Sequence, residues 1–139
     1  MKPIVIDGSA VLGLLLPDER QTASAMKLRI ALGAKAVAHV PAHWWVELAN
    51  GILMAERRKR ITLAVATEIL SLVQALDVST DDETAVRTTS DVVALARQKK
   101  LTAYDAAYLE LAIRHGATLA SNDKELLKAA VDCGVEVLG

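Results

Sequence analysis

The chain has 139 residues, of which 53% are hydrophobic and 24% are charged, and its net charge is −1 at pH 7. This length and balance predict one globular domain over residues 1–139 with a large buried core, and they exclude a disordered chain. Because there is no Phe and only 3% of the residues are aromatic, that core must be aliphatic. The near-neutral charge also excludes a surface that is basic throughout, so any nucleic-acid contact must come from a local cluster of cations.

The cysteine content and the N-terminal segment narrow the class of protein further. Cys133 is the single cysteine, which excludes an internal disulfide and a cysteine-rich metal site and fits a reduced, cytoplasmic protein. The apolar residues 10–16 follow Lys2, but Asp7 and Asp18 interrupt the pattern on either side, so we expect no secretory signal. No apolar run approaches the ~18 residues that cross a membrane, and we expect no membrane contact.

Short β-branched runs alternate with longer helical patterns along the chain. Strands are predicted over residues 3–7, 36–40, 117–120 and 135–138, with 77–79 as a candidate edge strand. Helices are predicted over residues 8–16, 18–32, 43–58, 62–76, 82–99, 104–115 and 123–132. This alternation predicts an α/β fold in which a mostly parallel central sheet of four to five strands is covered by helices on both faces.

Four acidic residues lie where a solvated helix face would not place them. Asp7 ends the first predicted strand, Asp123 follows the strand over 117–120, and Glu47 lies in the first turns of the helix after the second strand. The carboxyl ends of parallel strands share one edge of a sheet, which is where open α/β sheets bind ligands. We therefore expect these three carboxylates to meet. Asp105 opens a helix without a strand immediately before it, so this argument does not place it.

Each acid also has a purely structural explanation. Asp7 could cap the helix that follows it, Asp105 completes a capping box with Thr102, and Asp123 could be a first-turn acid favoured by the helix dipole. Glu47 could be an ordinary exposed helix acid. However, Glu47 and Asp7 are both embedded in apolar segments. A partly buried acid needs compensation, which a divalent cation would supply.

The ligand types indicate which cation such a site would bind. Mg²⁺ and Mn²⁺ take carboxylate oxygens and keep several waters, whereas Zn²⁺ favours His and Cys. The three histidines, His39, His43 and His115, share no ligand spacing. The sequence therefore favours a Mg²⁺ (or Mn²⁺) site with oxygen ligands.

The four acids lie within four short segments, residues 6–10, 45–50, 101–108 and 119–123. In this order the segments resemble the motifs of PIN-domain nucleases, and most closely those of the VapC toxins of bacterial toxin–antitoxin pairs. The resemblance covers essentially the whole chain. It implies a PIN-like three-layer sandwich, a Mg²⁺ or Mn²⁺ site and hydrolysis of RNA phosphodiester bonds. No acidic position of the motifs is missing, so nothing indicates an inactive member.

The resemblance also implies a role for each side chain of the site. Three residues are expected as direct metal ligands: Asp7, Asp105 and Asp123. Glu47 is expected to be a ligand, directly or through a water, or to orient the attacking water. Ser9 and Ser121 are expected to orient carboxylates or waters, and Asn50, one helical turn from Glu47, to do the same. An ordinary buried amide explains Asn50 equally well.

RNA contacts require cations outside the metal site. The two dense basic runs provide the candidates Arg57, Arg58, Lys59, Arg60, Lys99 and Lys100. Solvated helix ends are the alternative explanation for these runs. Trp44 and Trp45 are adjacent on one helix, so one should pack inward while the other serves a dimer or antitoxin contact. The resemblance implies a homodimer, a VapB-type antitoxin that occludes the site, and an RNA substrate, with transfer RNA as one candidate.

Two alternative functions stay open at this point. One is a PIN-type nuclease with a housekeeping role in RNA processing. The other is a non-catalytic α/β module that binds a partner and whose acids are only helix caps. Metal-dependent RNA cleavage would separate an enzyme from such a module. Toxicity relieved by the neighbouring gene's product would separate a toxin from a housekeeping nuclease.

Overall fold

The computed structural model describes residues 2–139 and contains one five-stranded sheet. Its strands are β1 (Ile4–Ile6), β2 (Ala38–Val40), β3 (Val78–Thr80), β4 (Thr118–Ala120) and β5 (Val137–Leu138). They lie in the order β3-β2-β1-β4-β5, and every neighbouring pair is parallel. The predicted α/β class and parallel sheet are confirmed, and β3 is the candidate edge strand.

Helices cover both faces of this sheet. They are α1 (Gly8–Leu15), α2 (Ala23–Gly33), α3 (Trp44–Arg57), α4 (Leu63–Gln74), α5 (Thr84–Arg87), α6 (Val93–Lys99), α7 (Ala103–His115) and α8 (Lys124–Asp132). Helix α7 packs across β1, β2 and β4, and α8 packs against α7. Right-handed crossovers place α1 to α4 on the opposite face. This arrangement is the predicted three-layer sandwich. No helix among residues 2–139 is long and apolar enough to span a membrane.

The core is aliphatic except for two large aromatic side chains. All three residues of β1 are buried, as expected for a central strand that is covered on both faces. Seven consecutive residues of α7, 106–112, are also buried, so this helix lies inside the molecule rather than on it. Trp44 and Tyr108 are the buried aromatics, with 0% and 1% exposure.

The prediction that a helix begins at Asp18 is wrong. Helix α2 begins at Ala23, because the Thr22 hydroxyl accepts a hydrogen bond from the Ala25 N–H and caps the helix there. Residues 17–22 form turns instead. Within them, Asp18 is held by Arg60, whose guanidinium donates to both of its carboxylate oxygens at 3.0 Å. A contact between distant parts of the chain thus overrides the local helical pattern.

The predicted helix over 82–99 is helical from Thr84 to Lys99, but it is not an α-helix throughout. A π-helical turn, Thr88–Val92, joins α5 to α6. The Thr88 hydroxyl donates to the Thr84 carbonyl at 2.6 Å. Hydroxyl side chains that bond to the preceding turn in this way compete with the regular helical ladder and distort it.

The chain reverses its direction of travel across the sheet at β1. It proceeds from β1 outward to β2 and β3, and then returns to add β4 and β5 on the other side. The Asp7 N–H donates to the Ala120 carbonyl at 3.0 Å and ties the ends of β1 and β4 together. In open α/β sheets such a switch point forms a crevice at the carboxyl edge, where ligands bind.

Candidate active site

Asp7 is the most buried carboxylate at the switch point, with 4% exposure. It follows β1 and is the N-cap of α1, so its Oδ1 accepts a hydrogen bond from the Ala10 N–H at 2.9 Å. The same oxygen accepts from the Ser9 hydroxyl at 2.7 Å, while Oδ2 accepts from the Ser121 hydroxyl. Burial raises the pKa of Asp7, although these hydrogen bonds oppose the shift.

Two serines and one asparagine join the loops after β1 and β4. Ser121 is fully buried, and its Oγ accepts from the Asp123 N–H at 2.9 Å while donating to Asp7. Ser9 Oγ accepts from the Asn122 N–H at 3.0 Å, and Asn122 Nδ2 donates to the Ser9 carbonyl at 3.3 Å. Both serines therefore orient the Asp7 carboxylate. The sequence did not indicate a role for Asn122, because its partner is more than a hundred residues away.

Asp123 and Asp105 each lie at the start of a helix. Asp123 is the N-cap of α8, and its Oδ1 accepts from the N–H groups of Glu125 at 2.9 Å and Leu126 at 3.2 Å. Asp105 lies in the first turn of α7, where its N–H donates to the N-cap Thr102 at 3.2 Å. Thr102 caps α7 as the predicted capping box requires, whereas Asp123 is the N-cap of its helix and not the first-turn acid that was expected. Capping fixes where the carboxylates are and does not exclude a ligand.

Asp105 lies within the electrostatic influence of the other three acids. Burial raises the pKa of Asp105, and the negative charges of Asp123, Asp7 and Glu47 raise it further, in that order. Within residues 2–139, no Lys or Arg nitrogen lies within 4.0 Å of any of these four carboxylates. Such a group of mutually repelling acids, which has no Lys or Arg partner in that range and offers carboxylate oxygens as ligands, fits a hard divalent cation.

Glu47 is held from two sides. Its Oε2 accepts from the Tyr108 hydroxyl at 3.2 Å and lies 2.9 Å from Nε2 of His43, one helical turn earlier. The His43 ring packs edge-on against the Tyr108 ring, with centroids 5.1 Å apart. Burial and the nearby carboxylates raise the pKa of Tyr108, so its hydroxyl stays a donor. Sequence reasoning missed Tyr108, although its position one turn after Asp105 was a usable signal.

Asn50, Trp44 and Trp45 differ in their exposure to solvent and in their hydrogen bonds. Asn50 is exposed on α3, and its side chain makes no hydrogen bond to any other of residues 2–139. Trp44 packs inward with 0% exposure. Trp45 is half-buried, and its Nε1 donates to Thr80 Oγ1 on β3 at 3.0 Å.

The basic residues after α3 divide into two groups. Arg60 is engaged by Asp18 and by Glu19, at 2.9 Å from each. The other three, Arg57, Arg58 and Lys59, are exposed and make no ion pair within the described part of the chain. Arg58 and Arg60 line one groove together with Ser9 and Asn122, of which Ser9 contacts Asp7. Lys99 and Lys100 line a second groove, between the C-terminal end of α6 and α8.

The tightest acidic cluster lies elsewhere. Among residues 2–139, the one set of three acids whose oxygens all lie within 4.8 Å of one another is Asp81, Asp82 and Glu83, so no three of the carboxylates at the switch point lie that close together. Asp81 is paired with Arg114, whose guanidinium donates to both of its oxygens at 2.9 and 2.8 Å. The pairing holds the pKa of Asp81 down to about 2. Since its charge is neutralised within the fold, this cluster is part of a structural ion-pair network.

The parallel sheet and the carboxylates at its switch point define an α/β domain whose crevice is lined by acidic side chains. The family model described as PIN domain matches residues 4–132. The chain belongs to the PIN-domain family, and the family prediction made from the motifs is confirmed. A comparison with curated proteins found no match.

Solved structures of the same fold come from several organisms. PAE2754 from Pyrobaculum aerophilum has a TM-score of 0.71 and 21% identity, and the match covers 98% of this chain and 90% of that one. VapC20 of Mycobacterium tuberculosis, described as a sarcin-ricin loop cleaving toxin, has a TM-score of 0.61 and 18% identity over 91% and 94%. VapBC2 from Rickettsia felis, solved bound to a DNA fragment from their promoter, has a TM-score of 0.61 and 14% identity over 96% of each chain. At these identities the likeness concerns the fold.

Proposed function

We propose that this chain is a Mg²⁺- or Mn²⁺-dependent endoribonuclease and the toxin of a VapBC-type pair. The proposal is supported by the mutual electrostatic influence of the acids around the switch point, Asp7, Glu47, Asp105 and Asp123, none of which has a Lys or Arg partner among the described residues. PIN domains are generally nucleases, and the described activity of VapC20 is RNA cleavage by a protein of this fold. A housekeeping PIN-type nuclease would use the same chemistry and differ in its biological setting.

The residues present fit a divalent metal. Asp7, Asp105 and Asp123 would hold it, with Glu47 as a ligand directly or through a water. When bound there, the cation would polarise the scissile phosphate and lower the pKa of a bound water. Because such ions keep several waters, the carboxylates need not all touch the ion directly.

The chain's own side chains would prepare and complete the hydrolysis. Ser9 and Ser121 fix the plane of the Asp7 carboxylate through both of its oxygens. Tyr108 holds Glu47, which would orient the attacking water and accept its proton. The water oxygen bonds to phosphorus as the P–O bond to the leaving ribose oxygen breaks, and that oxygen takes a proton from solvent.

Flanking cations would position the RNA strand. Arg58 is exposed beside Ser9 and Asn122, whereas the guanidinium of Arg60 is engaged by two acids. We therefore assign a phosphate contact to Arg58 ahead of Arg60. Lys99 and Lys100 would hold phosphates on the opposite flank. The proposal also includes a VapB-type antitoxin as partner, a homodimer and a cytoplasmic location. VapBC2 from Rickettsia felis is an example of a protein pair that contains this fold.

Cleavage of RNA under controlled metal supply tests the proposal. The purified chain is incubated with transfer RNA and ribosomal RNA in Mg²⁺, in Mn²⁺ or in EDTA, and the products are separated on denaturing gels. We expect discrete fragments with either metal and none in EDTA. If no RNA is cut and no metal binds, the chain is a non-catalytic module. Growth arrest on expression, relieved by co-expression of the neighbouring gene, distinguishes the toxin from a housekeeping enzyme.

Metal binding should stabilise the fold. A cation that binds the acidic site only in the folded state removes the repulsion around Asp105, and at 100 times its dissociation constant it adds about 2.7 kcal/mol. We expect Mg²⁺ to raise the thermal midpoint of the wild type and to leave that of Asp123→Asn nearly unchanged. Asp77→Asn, an exposed acid outside the site, is the control and should respond like wild type. Equal responses of all three would place the metal elsewhere.

Removing the Tyr108 hydroxyl should slow cleavage while leaving the fold intact. Tyr108→Phe keeps the buried ring but releases Glu47, which is half-buried and can accept from water instead. We expect a loss of about 10-fold or more in kcat, the usual effect of removing a group that orients a ligand. Thr80→Val removes a hydrogen bond of similar length, from Trp45, and is the matched control. An unchanged kcat in Tyr108→Phe would show that Glu47 needs no such support.

A further inference from the structure

An exposed aromatic ring stands directly beside the acidic site. Tyr104 is 65% exposed and immediately precedes Asp105 in the first turn of α7. The other three Trp and Tyr side chains are buried or half-buried, and the indole N–H of Trp45 is already engaged by Thr80. Tyr104 is thus the one Trp or Tyr side chain among residues 2–139 that is exposed to solvent, and it lies next to a proposed metal ligand.

The ring is oriented by a residue of the site itself. His43 packs edge-on against Tyr104, with ring centroids 5.8 Å apart and planes at 66°. The same imidazole contacts Tyr108 and lies beside Glu47. Because one partner holds both Tyr104 and Glu47, the position of the exposed ring is coupled to that of the carboxylates. Its exposure leaves most of the ring surface available to a ligand.

The charges around the site favour an uncharged contact between the protein and an RNA strand. The four carboxylates repel the phosphates of an approaching strand, and no Lys or Arg of the described chain offsets them locally. Cations occur in a separate groove of about 440 Å³, which is lined by the half-buried Lys99 and the exposed Lys100 and Lys128 together with Glu125 and Asp132. An aromatic face binds a base of any sequence without a charge, and proteins that hold single strands combine such faces with flanking cations.

We propose that Tyr104 stacks on an unpaired nucleobase next to the phosphodiester held at the carboxylates. The proposal rests on the proposed function and deepens it, since it defines the substrate as a single-stranded RNA segment such as a loop. Paired bases inside a duplex present no free face to the ring, so a duplex of the same sequence would lack this contact. Lys99 and Lys100, which precede Tyr104 by five and four residues in the segment that joins α6 to α7, would contact the neighbouring phosphates.

The test compares three variants on matched RNAs. Binding is measured in EDTA by the fluorescence of a single-stranded oligonucleotide that contains 2-aminopurine, and cleavage is measured separately with Mg²⁺. Tyr104→Phe keeps the ring and should bind and cleave like wild type. Tyr104→Leu should abolish the quenching of 2-aminopurine fluorescence. It should also weaken binding and raise KM, each by about 10- to 100-fold, which is the range measured for base stacking. Ile113→Ala, an exposed apolar residue at the other end of α7, is the control.

Each outcome either supports or overturns the inference. The inference is supported if Tyr104→Leu alone loses the fluorescence quenching and has a raised KM, and if every variant cuts the duplex poorly. An unchanged KM and quench in Tyr104→Leu overturn it, as does an equal loss in Tyr104→Phe, which would indicate the hydroxyl rather than the ring. If the wild type binds the oligonucleotide with a Tyr104-dependent quench but cuts no RNA, the proposed nuclease function fails while the stacking contact stands.

Discussion

Replacing Asp105 by Asn is expected to reduce RNA cleavage by more than about 100-fold, because the loss of a metal ligand should exceed the 10- to 100-fold effect of losing a supporting group. The same change should stabilise the metal-free protein. The folded-state pKa of Asp105 is raised above its ordinary value of 3.8, so its ionisation destabilises the fold as the pH rises through that pKa. Asn removes the charge and keeps the shape. Activity and metal-free stability therefore change in opposite directions.

Cleavage assays and thermal melts in EDTA at pH 7 measure the two effects together. Since Asp105 is only partly buried and solvent screens part of the repulsion, we expect a small rise in the thermal midpoint. Asp7→Asn should lose activity in the same way, since Asp7 is the more deeply buried acid. Asp77→Asn should change neither property. An active Asp105→Asn protein, or one that is less stable without metal, would contradict the assignment of this site.

Replacing Arg114 by Leu is expected to lower the free energy of unfolding by about 3–5 kcal/mol, the usual effect of removing one partner of a buried ion pair. Arg114 donates to Asp81 through two nitrogens and to Glu110 at 2.9 and 3.1 Å. The side chains of Asp81 and Glu110 are only 5% and 9% exposed. Without Arg114 the Asp81 carboxylate would stay buried with no guanidinium beside it. Urea unfolding at pH 7 measures the loss.

The pH dependence of this loss identifies its cause. Arg114 holds the pKa of Asp81 at about 2, below its ordinary value of 3.8. The pair therefore contributes stability that is fully present above pH 3.8 and is lost as the pH falls toward 2. The difference between wild type and Arg114→Leu should shrink over that interval. Arg60→Leu breaks an exposed ion pair and should have a much smaller effect. A difference that is constant from pH 7 to pH 2 would indicate lost packing instead.

Several site residues could be predicted because local sequence places them. Asp7 and Asp123 each follow a short apolar strand, and parallel strands bring such positions to one edge. Ser9 and Ser121 lie two residues from these acids, and the structure shows both on Asp7. Asp105 was different, since no strand precedes it. Only the motif resemblance suggested its place, and the buried path of α7 across the sheet explains it.

The remaining partners could not be predicted because their contacts join distant parts of the chain. Tyr108 reaches Glu47 across 61 positions, and Arg114 reaches Asp81 across 33. Arg60 was a candidate for RNA binding from its basic surroundings. The structure instead pairs it with acids 41 and 42 positions earlier, in the segment that was wrongly predicted to be helical. Charge runs and helical periodicity describe a segment by itself and contain no information about its neighbours in space.

The four carboxylates illustrate what the sequence and the tertiary structure each determine. By itself the sequence determined that Asp7, Glu47 and Asp123 follow strands of a parallel sheet, because hydrophobic periodicity and turn residues are local properties of the chain. Only the tertiary structure decided which charges lack a partner. It places Asp105 within the electrostatic influence of the other three acids, none of which has a Lys or Arg partner among residues 2–139, whereas it pairs Asp81, in an equally acidic segment, with Arg114. The physical reason is that the state of a carboxylate depends on burial and on nearby charges, and both are set by packing between elements far apart in the chain.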